Sequence, residues 1–134
     1  MTTTDKGTIK IDFDDNNQPK VLFKPVNADI WLYKNELVEL FGVYTQTINC
    51  AIDSIYKNKA YRPEETSEYH LYQSGNTIKH DKYRFNLQIV IALAFRLDSW
   101  QARLIREWFV NMVLRGNSVI DYPSVANEQN FRMN

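Results

Sequence analysis

The chain has 134 residues, 44% of them apolar, and a formal net charge of zero. This composition fits one globular domain and removes the simplest argument for nucleic-acid binding, an overall excess of Lys and Arg. No apolar run approaches the roughly 20 residues that span a bilayer, and the first residues lack the apolar core of a signal peptide. Because Cys50 is the only cysteine, we expect a cytoplasmic protein with neither an intramolecular disulfide nor a cysteine-rich metal site.

The first predicted element is a β-hairpin. Apolar and polar side chains alternate in Thr8–Phe13, a polar turn follows, and residues 20–24 are again rich in β-prone side chains, which is typical of two paired strands. Residues 30–33 are expected to form a third short strand. This part of the chain therefore predicts antiparallel β structure ahead of the first helix.

Residues 31–56 read WLYKNELVELFGVYTQTINCAIDSIY, two apolar-periodic segments on either side of Gly42. A glycine readily supplies the positive φ of a sharp turn between helices. The apolar residues that recur at helical spacing are Leu37, Leu40, Phe41, Ile48, Ala51, Ile52 and Ile55. This pattern predicts a helix-turn-helix at about residues 34–57, with Asn35 or a neighbour capping the first helix and Tyr44 or Thr45 opening the second.

The second half of the chain predicts a loop, a hairpin and two helices. Proline and charge indicate the loop at residues 61–67, and residues 68–73 and 77–85 flank a turn around Gly75, as in a hairpin that forms a wing. Asn86 is expected to cap a core helix that runs to about residue 97. Ser99 is expected to cap a last helix over about residues 100–115, which Gly116 and Asn117 stop.

These elements predict an α+β fold, a winged-helix-like domain over residues 1–115 followed by a tail at 116–134. The stretches 31–56 and 83–114 resemble the bacterial RhuM-like family, often labelled virulence-associated, and the resemblance covers roughly residues 9–115. The chain is also weakly similar to phage Bro and KilA N-terminal domains. The matching positions are Trp31, Leu32, Glu39, Leu40, Phe41, Gly42, Val43, Thr47, Ile48, Ile52, Asn86, Leu87, Ile91, Ala92, Arg96, Ser99, Arg106 and Trp108. The resemblance implies a bacterial DNA-binding protein or transcriptional regulator with a helix-turn-helix.

The second helix carries the predicted contacts to double-stranded DNA. Its side chains include no cation before Lys57, whereas members of the family tend to carry basic or histidine residues there. Gln and Asn pair well with adenine, and Thr contacts the thymine methyl group. We therefore predict base readout by Thr45, Gln46, Thr47 and Asn49. Phosphate contacts are expected from Lys57, Lys59, Lys79, Lys82 and Arg84.

An alternative remains open, because the surplus of positive charge is small and lies late in the chain. Residues 57–134 hold eleven Lys and Arg against eight acidic residues, and residues 1–56 hold five against eight. A helix-turn-helix without cations suits a protein-interaction or oligomerisation module that no longer binds DNA. For the DNA-binding interpretation we expect a homodimer, because operators usually contain two half-sites, and we expect it to form through the aromatic stripe of the last helix or through residues 118–131.

Enzymatic chemistry has little support in the sequence. The four glycines are isolated, so no phosphate-binding loop is present, and we expect neither catalysis nor a cofactor. His70 and His80 lack ligand-spaced partners for a metal. Cys50 is expected to be an inert, buried or half-buried side chain, and Arg96 and Arg106 are expected to form structural salt bridges, for example with Asp98 or Glu107.

Overall fold

The computed structural model describes residues 6–120, without the side chains of residues 69–72, 79–82 and 117–120. Helices and strands are both present in this range, so the α+β class is confirmed. The elements in chain order are β1 (Thr8–Phe13), β2 (Pro19–Lys24), β3 (Trp31–Tyr33), α1 (Lys34–Phe41), α2 (Thr45–Lys57), α3 (Pro63–Thr66), β4 (Ser67–Ser74), β5 (Thr77–Asn86), α4 (Leu87–Ala94) and α5 (Trp100–Ile120).

The N-terminal hairpin is confirmed. Strands β1 and β2 pair antiparallel, from Thr8 opposite Lys24 to Phe13 opposite Pro19. The turn is held by the Asp14 carboxylate, which accepts hydrogen bonds from the backbone amides of Asn16 and Gln18, each at 2.9 Å. A short acidic side chain bonds to nearby amides in this way and so favours turns over regular structure.

The second hairpin is also confirmed, and it forms a three-stranded sheet with the order β3-β5-β4. The register shifts by one residue between Glu68, opposite Arg84, and Tyr69, opposite Lys82. Tyr83 is therefore the extra residue of a β-bulge. On one face of the sheet, Leu32 and Phe85 are buried in the core. The sheet thus closes one side of the helical core.

Helices α1 and α2 are joined by a three-residue turn, Gly42-Val43-Tyr44. The backbone of Gly42 is left-handed, with φ of 63°, and its amide donates to the carbonyl oxygen of Val38 at 2.9 Å. A Cβ atom at this position would also collide with the side chain of Gln101. The turn therefore requires glycine because of the sign of φ, whereas the flexible end of the Gln101 side chain can move aside at little cost.

Of the predicted caps for α1, Asn35 is wrong, because the helix begins at Lys34 and Asn35 already lies inside it, whereas its neighbour Glu36 does take part in the cap. The first turn is instead closed by Glu36, whose Oε1 accepts from the backbone N–H of Tyr33 at 2.8 Å. The second helix opens after Tyr44, as predicted. Both helices place their apolar stripes in the core through Leu37, Leu40, Phe41, Ile48, Ile52 and Ile55.

The predicted loop at residues 61–67 contains a short helix, α3, which begins at Pro63. Proline suits the first position of a helix because the amide that it lacks has no partner there. The hydroxyl of Thr66 lies 2.9 Å from the hydroxyl of Tyr56 and donates to the carbonyl oxygen of Arg62 at 2.8 Å. These bonds fix the path of the chain from α2 to the sheet.

Helix α4 is capped as predicted but ends earlier than expected, at Ala94. The Asn86 side chain accepts from the amide of Ile89 at 3.4 Å. A second acceptor is Oδ1 of Asp29, which accepts a hydrogen bond from the Leu87 amide at 3.0 Å although the two residues are 58 positions apart. The start of this buried helix is thus satisfied by two elements at once.

The predicted end of α5 at Gly116 and Asn117 is wrong, because the helix continues to Ile120. One glycine in a helix costs only about 1 kcal/mol relative to alanine, so a single glycine does not by itself end a helix. The cap at Ser99 is confirmed, since its Oγ accepts from the Ala102 amide at 3.2 Å. Residues 121–134, most of the predicted tail, lie outside the described residues. Among residues 6–120, no helix is both long and apolar enough to cross a membrane.

Candidate nucleic-acid interface

The orientation of α2 is set by its buried stripe. Ile48, Ile52 and Ile55 pack into the core, so residues on the other side of the helix face outward. Thr45, Gln46 and Thr47 are exposed and Asn49 is half-buried. All four predicted readout residues therefore lie in the first turn and a half of one helix, with hydrogen-bonding side chains accessible from outside.

The N-terminal end of α2 is open. Its first amides receive no side-chain cap, and its first turn contains no acidic residue. Tyr44, the residue before the helix, is 83% exposed. The N-terminus of a helix carries partial positive charge and unsatisfied N–H groups, both of which favour an anion.

Cys50 corrects one prediction, because it is exposed rather than buried. It lies one helical turn after Gln46, whose Nε2 is 3.7 Å from the Cys50 Sγ. Residues four apart share a helix face, and Gln46 is on the outer face. Cys50 is thus part of the surface that the readout residues form.

The same surface continues to cations at the C-terminal end of α2. Lys57 ends the helix, and Lys59 follows with a left-handed backbone at φ of 62°. Both side chains are exposed, and within the described part of the chain neither forms an ion pair. Their charges are therefore accessible from solvent. Asp53 is also exposed on this helix and opposes a phosphate placed near it.

Of the three predicted phosphate-binding cations on the second hairpin, only Arg84 has a described side chain, and it is already paired. Lys79 and Lys82 belong to the backbone of β5, but their side chains lie outside the described residues. Arg84 is 21% exposed and paired with Glu68, with Nε donating to Oε1 at 2.7 Å. Its guanidinium carbon also lies 5.7 Å from the ring centroid of Trp31. Arg84 is thus engaged within the sheet rather than presented as an unbalanced charge.

Arg96, for which the sequence predicts a structural salt bridge, lies beside α2 instead. It follows α4, yet its Nη1 donates to the hydroxyl of Ser54 on α2 at 3.1 Å. The expected salt bridge of Arg96 is not formed within residues 6–120, so a neutral hydroxyl holds the guanidinium and the charge stays unbalanced. No local pattern reveals a contact between residues 42 positions apart. The packing of α4 against α2 creates it.

The salt bridge expected for Arg106 is also not formed within residues 6–120. Its Nη1 donates to the carbonyl oxygens of Ala94 at 2.6 Å and Leu97 at 3.0 Å. Carbonyls at the end of a helix lack intrahelical partners and carry partial negative charge. Arg106 is therefore a structural residue that closes the end of α4 and the turn after it.

The described residues contain no metal site, because no three of their His, Cys, Asp or Glu side chains lie close enough together to hold an ion. The side chains of His70 and His80 are outside that range. Comparisons with protein-family models, with curated proteins and with solved structures find no match to this chain. The geometry of α2 and the charges beside it are accordingly the basis on which we infer a function.

Proposed function

We propose that the chain is a cytoplasmic transcriptional regulator that binds double-stranded DNA through α2. In this proposal α1, the turn at Gly42 and α2 form a helix-turn-helix, and the β4–β5 hairpin is the wing of a winged-helix-like fold. The observation that carries the proposal is the outer face of α2, on which Thr45, Gln46 and Thr47 are exposed directly after a sharp, glycine-dependent turn. A recognition helix contacts bases with residues near its N-terminus.

The side chains on this face have suitable chemistry for the major groove. Gln46 and Asn49 each carry an amide that donates and accepts, which matches the N6 and N7 edge of adenine. Thr45 and Thr47 add hydroxyl groups and methyl groups, and a methyl group contacts thymine favourably. These contacts favour sites rich in A·T pairs at the positions where α2 enters the groove.

Phosphate contacts are assigned in this proposal to Lys57, Lys59 and Arg96. All three are exposed and without an ion pair in the described part of the chain. The uncapped amides at the start of α2 add a further donor group for phosphate. A local cluster of this kind explains how a chain without net charge binds a polyanion.

The test is a fluorescence-anisotropy titration of random duplex DNA at about 50 mM and about 200 mM salt. Three neutralised phosphates give a slope of about −2.7 in log affinity against log salt, so we expect the affinity to fall about 40-fold between the two conditions. Binding that is absent at the lower salt concentration, or that does not respond to salt, would contradict the proposal.

A second candidate function is a protein-interaction module. Tyr44 favours it, because a tyrosine that is 83% exposed next to the turn provides a typical contact residue for a protein partner. Asp53 on the same helix is unfavourable for DNA and acceptable for a protein. The titration above discriminates between the two candidates, since a protein-interaction module has no salt-dependent affinity for random DNA.

A further inference from the structure

Helix α5 leaves the core about halfway along its length. Ala102 and Ile105 are fully buried, whereas Met112 is 36% exposed. A helix of a monomeric domain normally turns a polar face to water once it leaves the core. The second half of α5 instead carries apolar side chains to the surface, which is the pattern of a helix that is covered by another polypeptide.

One side of this half forms a groove. The groove has a volume of about 610 Å³ and lies between Val21 of β2 and α5. The α5 residues that line it include Leu104, Glu107, Trp108, Asn111, Met112 and Arg115. Its walls are thus largely apolar, with one acidic, one amide and one basic side chain along the helix.

The two charges in the groove are arranged symmetrically. Glu107 and Arg115 are eight residues apart, about 12 Å along a helix, so they do not pair with each other. Neither has an ion-pair partner elsewhere in residues 6–120. Asn111 lies midway between them and lines the same groove.

We infer that the groove side of α5 binds the same surface of a second copy of this chain, as an antiparallel helix pair with its two-fold axis at Asn111. In this arrangement Glu107 of each copy meets Arg115 of the other, because the two residues are equidistant from the axis. The two Asn111 amides face each other and hydrogen-bond across the axis. The apolar part of the groove, around Leu104 and Trp108, is covered at the same time.

The charge pattern is what selects a second copy as the occupant. A two-fold interface must be self-complementary, and an acid and a base placed at equal distances from a central amide satisfy that condition in the antiparallel orientation only. A polar residue at the centre of a helix pair also fixes its register. The inference is independent of DNA binding, since it is tested on the protein alone.

The first test compares charge reversals by sedimentation equilibrium on the full chain. We expect the wild-type chain to be a dimer, and Glu107→Arg or Arg115→Glu to weaken the dimer about tenfold or more, because each creates two like-charged pairs. The double variant Glu107→Arg/Arg115→Glu restores both pairs and is expected to regain most of the affinity. A monomeric wild-type chain, unaffected single variants or a double variant without rescue would each overturn the inference.

A second test detects the two-fold axis directly. In a Cys50→Ser background, which removes the one exposed native thiol, Asn111→Cys places two thiols at the axis and is expected to give a disulfide-linked dimer under mild oxidation. Val113→Cys, two residues further on and 42% exposed, lies on another side of the helix and is the matched control. Equal cross-linking of both variants, or none at position 111, would overturn the two-fold axis at Asn111.

Discussion

Replacing Lys6 by Met is expected to lower the free energy of unfolding by about 2–3 kcal/mol. Lys6 is 8% exposed, and its Nζ lies 3.0 Å and 3.1 Å from the two carboxylate oxygens of Glu36. The same Nζ donates to the carbonyl oxygen of Trp31 at 3.0 Å. Methionine keeps the apolar stem but leaves a half-buried carboxylate and a carbonyl without their donor, and such groups are costly.

This effect is measured by urea denaturation in a double-mutant cycle. Glu36→Gln retains an acceptor for the Tyr33 amide and removes the charge, so Lys6→Met/Glu36→Gln is expected to recover about 1 kcal/mol or more of the loss. Arg62→Met is the matched control, because the Arg62–Glu65 pair is 72% and 65% exposed and should contribute less than about 0.5 kcal/mol. An equal loss in Lys6→Met and Arg62→Met would show that the buried pair adds nothing specific.

The triple variant Lys57→Gln/Lys59→Gln/Arg96→Gln is expected to weaken binding of random duplex DNA about 1,000-fold or more at about 50 mM salt. The substitutions remove the three cations that we assign to phosphate, so the dependence of affinity on salt should nearly disappear as well. Both quantities are obtained from anisotropy titrations at several salt concentrations.

The matched control is Lys10→Gln/Lys20→Gln/Lys24→Gln on the β1–β2 hairpin. It makes the same change in net charge at three exposed lysines, so it corrects for the loss of non-local attraction. We expect the control to lose only a small part of the affinity. If both triple variants weaken binding equally, the cations around α2 have no special role, and the proposed orientation on DNA fails.

The sequence predicts those parts of the fold that depend on local patterns. Both hairpins follow from alternating side chains around polar turns, and the start of α2 follows from helical periodicity after Gly42. Asn86 and Ser99 act as caps because their side chains bond to amides only three residues ahead. The bonds that hold the first turn and the two caps join residues only two to four positions apart in the sequence. A local pattern is therefore enough to predict them.

The remaining features arise from contacts between residues that are distant in the sequence. Lys6 meets Glu36, Asp29 accepts from Leu87, and Arg96 contacts Ser54 across 30, 58 and 42 positions. No periodicity encodes such pairs, since they depend on how complete elements pack.

Two local sequence signals predict the wrong structure, one for the burial of Cys50 and one for the end of α5. Cys50 is expected to be buried or half-buried, as a small side chain without a basic partner nearby, but the phase of the α2 stripe turns Cys50 outward. Gly116 is expected to end α5, but one glycine costs a helix only about 1 kcal/mol relative to alanine, and the helix continues to Ile120. For the candidate site, the polar face of α2 is predictable from its composition. The contact between Arg96 and α2 is not, because Arg96 and Ser54 are 42 positions apart in the sequence.

Amide chemical-shift mapping shows whether DNA contacts α2, the surface that we propose for it. In a ¹⁵N-labelled sample titrated with a short duplex at low salt, we predict that the largest shifts fall on residues 44–57, with the side-chain amides of Gln46 and Asn49 among them. Smaller shifts are expected at Arg96. Shifts confined to α5 or to the β1–β2 hairpin, or no shifts at saturating DNA, would contradict the account.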